Sequence, residues 1–408
     1  MEVFEQDVRL FSVMGLPMIA HCGNGCVIGL TDDAAKLCDL LMRGECAQQD
    51  VTTAQPQLFE ALRQYGFLGS AEQDAEREAI QSAYLHITDR CNLSCVGCYS
   101  ASSQRNRLED LPFEDICLLI DKLVELGVTE LHISGGEPGL RDDLCDIAVH
   151  ARAAGVTHLD VATNGVIAAR GLDLTRLASL VDYVVVSIDG IPGTCSSFVR
   201  GNDACKVALD AVERLLAAGV SVQLLPTLHA RNIDDMPAYR ELAQRLGIPI
   251  NFSILSCSAC NPQLGDLYFD DASLRHVAER LHAIQQERLW DEAPSFSARF
   301  CCGVGRTTLS IAADGSAYPC HMLHDAAYCM GNLLVDSPAD ILGSPVRKRF
   351  CELSVEQFMG CSACDMRYLC GGGCRARAAS AGGLEERDPY CALMQEHFRG
   401  IVSELVGK

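Results

Sequence analysis

The sequence predicts an α/β fold. A run of parallel strands and crossover helices is preceded by a small winged-helix-like domain and followed by a cysteine-rich segment. Three observations carry this. From residue 81, short apolar runs alternate with amphipathic stretches. Before residue 70, strand-like patterning gives way to helix-like patterning. The cysteines gather in two places, directly after the first apolar run of the α/β region and again beyond residue 300.

Composition bounds the function. The chain has 408 residues, enough for about two to four domains, and a formal charge of −21 with a pI near 4.9. So acidic a surface argues against a nucleic-acid partner. No run of 18 apolar residues suggests a membrane span, and the acidic N-terminus MEVFEQDVRLF is not a signal peptide. With no export signal, 23 cysteines indicate metal or cluster binding in a reduced cytoplasm rather than disulfides. Cys38, Cys117, Cys145, Cys205 and Cys351 lie in apolar or helical surroundings and read as small core residues.

Residues 7–13 and 17–21 alternate around Gly15-Leu16-Pro17 as a hairpin does, and 25–30 reads as a third short strand. Thr31 suits the N-cap of a helix over Asp32–Met42, with acidic residues in its first turn. A second helix, 57–65, stops at Gly66. In its order of elements, residues 1–70 resemble the peptide-recognition domain of many peptide-modifying enzymes, related to the pyrroloquinoline quinone chaperone. The likeness rests on G-C-V-I-G-L, the helix D-A-A-K-L-C-D-L-L and the closing E-A-L-R-Q-Y-G-F-L. It implies that a leader peptide adds to the third strand beside a helix. The alternative is a cap that only supports the barrel. Cys22 and Cys26 form C-x3-C without a second pair, which argues against a metal there. Residues 71–80 read as a linker.

Over 81–256 the candidate strands are 83–87, 129–133, 157–161, 182–187, 220–225 and 250–254. The candidate helices are 112–126, 141–154, 203–218 and 234–246, with a shorter one near 174–180. Such units imply parallel strands joined by right-handed crossovers. The chemistry belongs at the C-terminal ends of the strands. After the first strand come Cys91, Cys95 and Cys98, spaced C-x3-C-x2-C. Three thiolates can hold three irons of a [4Fe–4S] cluster and leave the fourth iron open. A structural zinc ion would ask for a fourth Cys or His, and the nearby His86 sits on the strand.

The stretch Y-L-H-I-T-D-R-C-N-L-S-C-V-G-C-Y resembles the radical S-adenosylmethionine (SAM) superfamily. The resemblance implies a partial (β/α)6 TIM-type barrel and a cluster whose open iron binds SAM. It also implies cleavage of SAM to a 5′-deoxyadenosyl radical that abstracts hydrogen from a substrate. Carried over residue by residue, the SAM pocket comprises Gly135, Gly136 and Glu137 of S-G-G-E-P, Thr163 and Asn164 of T-N-G, and Ser187 and Asp189 of S-I-D-G. Arg200 of F-V-R-G would face the SAM carboxylate, for which a planar guanidinium is suited. Each stretch also has a plain reading, as a strand-to-helix turn, an Asn-Gly turn or a surface arginine. One departure stands out. The position before the third cysteine, usually aromatic in the family, is Gly97, and Tyr99 is the candidate substitute.

Residues 257–300 read as a bridging region. Its Cys257 and Cys260 fit no pattern identified here. From 301 to 408 the spacing is Cys302-x12-Gly315-x4-Cys320, then Cys361-x2-Cys364-x5-Cys370-x3-Cys374, with Cys391 beyond. It resembles the seven-cysteine SPASM signature, which implies two auxiliary [4Fe–4S] clusters. By position, Cys302, Cys320 and Cys374 would hold the first, with Cys301 or substrate as fourth ligand. Cys361, Cys364, Cys370 and Cys391 would hold the second and close it for electron transfer. The competing reading is a pair of zinc ribbons. Asp314-Gly315 reads as a hairpin turn.

Together the resemblances imply a radical SAM/SPASM enzyme that modifies a ribosomally synthesised precursor peptide through a thioether or carbon–carbon bond. It would carry one SAM-binding and two auxiliary clusters and take electrons from a reductant such as flavodoxin or ferredoxin. It would use neither nucleic acid nor membrane. An anaerobic sulfatase (formylglycine-forming) maturase, a tetrapyrrole-modifying enzyme and a non-catalytic electron carrier are the alternatives.

Overall fold

The computed structural model describes residues 3–69, 79–100, 105–191, 200–201, 203–256, 264–286 and 297–406. Cys257, Cys260, Phe198, Val199 and most of the expected linker lie outside the described residues. The chain divides into two compact units. One comprises Met1–Glu78, Leu274–Cys302 and Leu353–Lys408, the other Ala79–Ser273 and Gly303–Glu352.

The first unit begins with β1 (Val3–Phe4), β2 (Val8–Val13), β3 (Leu16–His21) and β4 (Val27–Gly29). Then come α1 (Asp32–Met42), α2 (Gln48–Ala54), α3 (Pro56–Gln64) and β5 (Leu68–Gly69). β2, β3 and β4 form an antiparallel sheet in that order, and β1 pairs with β5. Met14 and Gly15 are both left-handed (φ 51° and 83°), as a two-residue hairpin loop requires. Thr31 caps α1 by accepting from the Ala34 N–H at 3.2 Å. Sequence reading missed α2. Its segment QQDVTTA is polar and buries only Val51, and it is held by Asp50 accepting from the Ala47 N–H at 2.8 Å.

β3 is buried on both faces, which explains its weak alternation. Ile19 packs with Val8, Cys38, Leu62, Phe67 and Leu68. Val13 and Met18 pack instead with Met366, the N-cap of helix Arg367–Cys370, with Leu369 of that helix, and with Phe398, Ile401 and Val402 of helix Cys391–Val406. Phe11 adds an edge-on contact to Tyr368 at 5.2 Å, and Arg9 an ion pair to Glu356 at 2.8 Å.

The second unit alternates strand and helix. It runs β6 (Ser82–His86), α4 (Phe113–Glu125), β7 (Glu130–Ser134), α5 (Leu144–Ala154), β8 (His158–Thr163), α6 (Leu174–Ala178) and β9 (Tyr183–Ser187). It continues with α7 (Ala204–Ala217), β10 (Val222–Leu225), β11 (Thr227–Leu228), α8 (Met236–Leu246) and β12 (Ser253–Ile254). β13 (Thr308–Ile311), β14 (Ser316–Tyr318) and β15 (Gly331–Asn332) complete it. β6 to β10 are parallel and adjacent in chain order. Side chains such as Leu85, Leu131, Ile133, Val161, Val184 and Leu224 fill the core with those of the helices, Cys145 and Cys205 among them.

Two features depart from the sequence reading. Among the described residues the sixth strand is reduced to Ser253–Ile254, paired with β11, and an isolated bridge from Ile250 to Leu224. Pro226 and Pro249 lack the N–H a longer ladder needs, and the segment is tied back by Asn251 donating to the Leu224 carbonyl at 3.0 Å. On the other side, β13 adds to β6 in parallel, with Thr308 opposite Ser82. The expected Asp314-Gly315 turn joins β13 to β14, with Gly315 at φ 84°. Among the described residues no helix is long and apolar enough to cross a membrane.

Candidate active site

The loops at the C-terminal ends of the parallel strands line an open cavity of about 1040 Å³, a volume that includes its solvent-facing part. Its walls include Cys91, Cys95 and Cys98 after β6, Gly135, Gly136 and Glu137 after β7, and Thr163 and Asn164 at the end of β8. Ser187 and Asp189 at the end of β9, together with Arg200, complete this side. The residues expected in the SAM pocket are thus brought together with the three cysteines. Other lining residues were not foreseen: they include His229, Leu255, Leu267, His321 and Met322.

The two loops nearest the thiols are joined through backbone. Gly136 N–H donates to the Thr88 carbonyl and Glu137 N–H to the Arg90 carbonyl, each at 2.8 Å. A Cβ on Gly135 would lie 2.3 Å from the Thr88 oxygen, and one on Gly136 2.1 Å from the Arg90 oxygen. The glycines are therefore fixed by the approach of the cysteine loop itself, a reason the sequence does not reveal. Arg90 and Thr88 both bond to Asp110, and Asn106 accepts from the Cys91 N–H at 2.7 Å.

Glu137 ties the β7 and β8 loops together. One oxygen accepts from Gly139 N–H at 2.9 Å and Thr163 Oγ1 at 2.7 Å, the other from Asn164 N–H at 2.7 Å. Burial raises its pKa, and these bonds oppose the rise. Asp189 accepts from Thr227 N–H at 2.7 Å and pairs with Arg200, which reaches Cys95 Sγ at 3.9 Å. Here the Arg200 guanidinium faces a carboxylate of the chain and a cysteine. Asn164 Nδ2 lies 4.0 Å from Cys91 Sγ and donates to Asn92 at 2.9 Å.

The absence of an aromatic residue at position 97 has a steric cause. Gly97 is left-handed (φ 76°), and a Cβ there would lie 2.7 Å from Leu255 Cδ1. Tyr99 lines the cavity instead, its hydroxyl 2.7 Å from Ser134 Oγ and its ring edge-on to His321 at 5.2 Å.

Cys91, Cys95 and Cys98 all line the cavity, a donor set of the kind a three-thiolate cluster takes, although among the described residues no three Cys, His, Asp or Glu side chains are gathered as a metal site. The adjoining glycines carry no side chain. Burial pushes the Cys91 and Cys95 thiols up, a cost that metal binding offsets because the ligand is the thiolate. A second, smaller cavity in the other unit is lined by Cys361, Cys364, Cys370 and Cys391, with Gly372, Gly373 and Asp388. Burial pushes Cys370 up to about 12. Asp388 holds the neighbouring loop by accepting from Tyr390 N–H at 2.9 Å and Arg377 Nε at 2.9 Å, and from Cys374 N–H at 2.6 Å. Cys301 is buried. Cys302 and Cys374 belong to this same unit, whereas Cys320 follows β14 in the other.

Comparison with known proteins gives two family matches. Residues 85–243 match the radical SAM superfamily, and residues 301–365 match the SPASM iron–sulfur cluster-binding domain. The chain thus carries a radical SAM domain and a SPASM domain. Its cofactors are accordingly [4Fe–4S] clusters and SAM. Among relatives of the radical SAM/SPASM chain is the PqqA peptide cyclase of Ruegeria pomeroyi, 27% identical over 340 residues, which are 77% of this chain and 87% of that protein. The mycofactocin maturase MftC of Mycolicibacterium smegmatis is 29% identical over 75% of this chain and 81% of its own length. The crystal structure of Streptococcus suis SuiB bound to the precursor peptide SuiA superposes with a TM-score of 0.62 at 15% identity. The match covers 96% of this chain and all of that one.

Proposed function

We propose that this enzyme modifies a ribosomally synthesised precursor peptide, forming a thioether or carbon–carbon bond from an unactivated C–H group. The carrying observation is the single cavity that places three thiols, two bare glycines and the Asp189–Arg200 pair at the ends of parallel strands. When bound, cluster and SAM supply a 5′-deoxyadenosyl radical to that cavity. The chain's own part is to orient SAM and the peptide and to keep water out. Cys91, Cys95 and Cys98 hold the SAM-binding cluster, and Gly135, Gly136, Thr163, Asn164, Ser187 and Arg200 face SAM. Relatives named as a peptide cyclase and a maturase favour a peptide substrate over a sulfatase or tetrapyrrole.

The N-terminal domain binds the leader. β4 is an edge strand. The bonds from Leu30 N–H to the Pro17 carbonyl and from His21 N–H to the Cys26 carbonyl, both 2.9 Å, fix the pairing phase. In that phase Val27 and Gly29 turn their backbone groups away from β3, as an added strand needs. Flavodoxin or ferredoxin supplies the electrons.

The test is anaerobic reconstitution of the whole chain. It should take up about twelve irons and form 5′-deoxyadenosine from SAM under reductant. With a candidate precursor peptide it should give a product two mass units lighter, about 2 Da, as loss of two hydrogens requires. Zinc in place of iron without SAM cleavage would overturn the proposal.

A further inference from the structure

Arg105 belongs to none of the motifs read from the sequence. Its Nη2 bonds to the Ser100 carbonyl, to Ser100 Oγ at 2.7 Å and to Cys98 Sγ at 4.0 Å. Its Nη1 reaches the Asp89 carbonyl at 3.5 Å. Ser100 Oγ lies 3.5 Å from Cys98 Sγ and donates to the Gly135 carbonyl at 3.1 Å. A Cβ on Gly136 would stand 2.8 Å from Arg105 Nη1. The guanidinium is thus wedged between the cysteine loop and the glycine pair.

The three thiols have unlike neighbours. Cys91 lies against the neutral amide of Asn164 and feels Arg105 only through space. Cys95 faces Arg200, whose charge is balanced by Asp189. Cys98 faces Arg105, whose hydrogen-bond partners among the described residues are carbonyls, a hydroxyl and the thiol. The Asp89 carboxylate acts on it through space, without a hydrogen bond. A cation beside a thiolate stabilises the state with one more electron, because reduction adds negative charge.

We propose that Arg105 is a positioning residue that places a positive charge on the Cys98 side of the SAM-binding cluster and makes that cluster easier to reduce. The inference rests on the radical SAM reading of the cavity. It distinguishes Arg105 from Arg200, whose guanidinium also reaches a thiol but is ion-paired with Asp189.

The experiment is an EPR-monitored redox titration of the reconstituted full chain, comparing wild type with Arg105→Gln and Arg105→Lys. The SAM-binding cluster is singled out by the change in its signal on adding SAM. In Arg105→Gln the reduced-to-oxidised ratio at fixed potential should fall about tenfold, which for a one-electron couple is about 59 mV. Arg105→Lys should restore most of the loss. If Arg105→Gln fails to load the cluster but Arg105→Lys loads it, the requirement for charge is upheld. An unchanged ratio in an iron-replete Arg105→Gln protein overturns the inference. So does loss of this cluster from both variants, since a mere shape requirement would give that. Absence of iron or SAM cleavage in the wild type is a separate result: it refutes the proposed function and takes this inference with it.

Discussion

Glu137→Gln tests the tie between the β7 and β8 loops. The carboxylate accepts three hydrogen bonds, two from backbone N–H groups that can only donate. An amide has one oxygen. With that oxygen in the place shared by Gly139 and Thr163, the new NH2 meets the Asn164 N–H, donor against donor. With the amide reversed, the Thr163 hydroxyl can turn and accept, but the Gly139 N–H loses its partner. Either way one buried donor is orphaned, at a cost of about 1–3 kcal/mol. The orphan sits on the cavity wall in the first case, so the cost falls on the loop proposed to face SAM. If it is expressed wholly there, SAM affinity drops about 5- to 150-fold. The assay is equilibrium binding of SAM to the reconstituted protein, with iron content measured on the same sample. Wild-type affinity in an iron-replete Glu137→Gln protein would refute the reasoning.

Gly97→Ala should be destabilising by about 2–5 kcal/mol. The left-handed backbone contributes about 1–2 kcal/mol, and the approach to Leu255 about 1–3 kcal/mol. Lower thermal stability, partly recovered when Leu255→Ala is added, is the expected pattern; simple additivity would contradict it. Cys95→Ala should lose about four of about twelve irons and all 5′-deoxyadenosine formation, and retained SAM cleavage would count against the cluster assignment. Burial lowers the His324 pKa to about 4. The unfolded chain then binds the extra proton between about 4 and 6.5, so stability is lost as pH falls through that window, by up to about 3 kcal/mol. Melting temperatures of wild type and His324→Gln between pH 7.5 and 5 should converge on acidification, and parallel curves would argue against a buried neutral imidazole.

What was legible in the sequence was local. The three-cysteine loop, S-G-G-E-P, the Thr31 cap and the Asp314-Gly315 turn are each specified within a few residues, so spacing and turn chemistry reveal them. What was hidden depends on partners far along the chain. β13 joins β6 across 226 residues, as the Ser82–Thr308 hydroxyl contact marks, and nothing in T-L-S-I announces a parallel partner. The reason for Gly97 lies in Leu255, and the role of Glu137 in Thr163 and Asn164. Arg105 carries no spacing signal, because its meaning is its distance from Cys98. The sixth strand was overread because apolar alternation outweighed the two prolines.

The core shared by β2, β3 and the C-terminal helices bears on how such a chain can be divided. Met366 and Leu369 lie inside the run from Cys364 to Cys370, and both are buried against Val13 and Met18 of the N-terminal hairpin. The hairpin is therefore part of the scaffold that shapes a cysteine loop, and truncation at residue 70 would strip one wall from that loop. Transplanting the first seventy or so residues onto another barrel would likewise leave Val13 and Met18 without their cover. Any coupling through this core would run in both directions. Iron held at Cys361 and Cys364 would stiffen the hairpin, and a peptide strand laid on β4 would stiffen the cysteine loop. A recombination that separates these segments parts the two halves of one folding unit, so they should be inherited together.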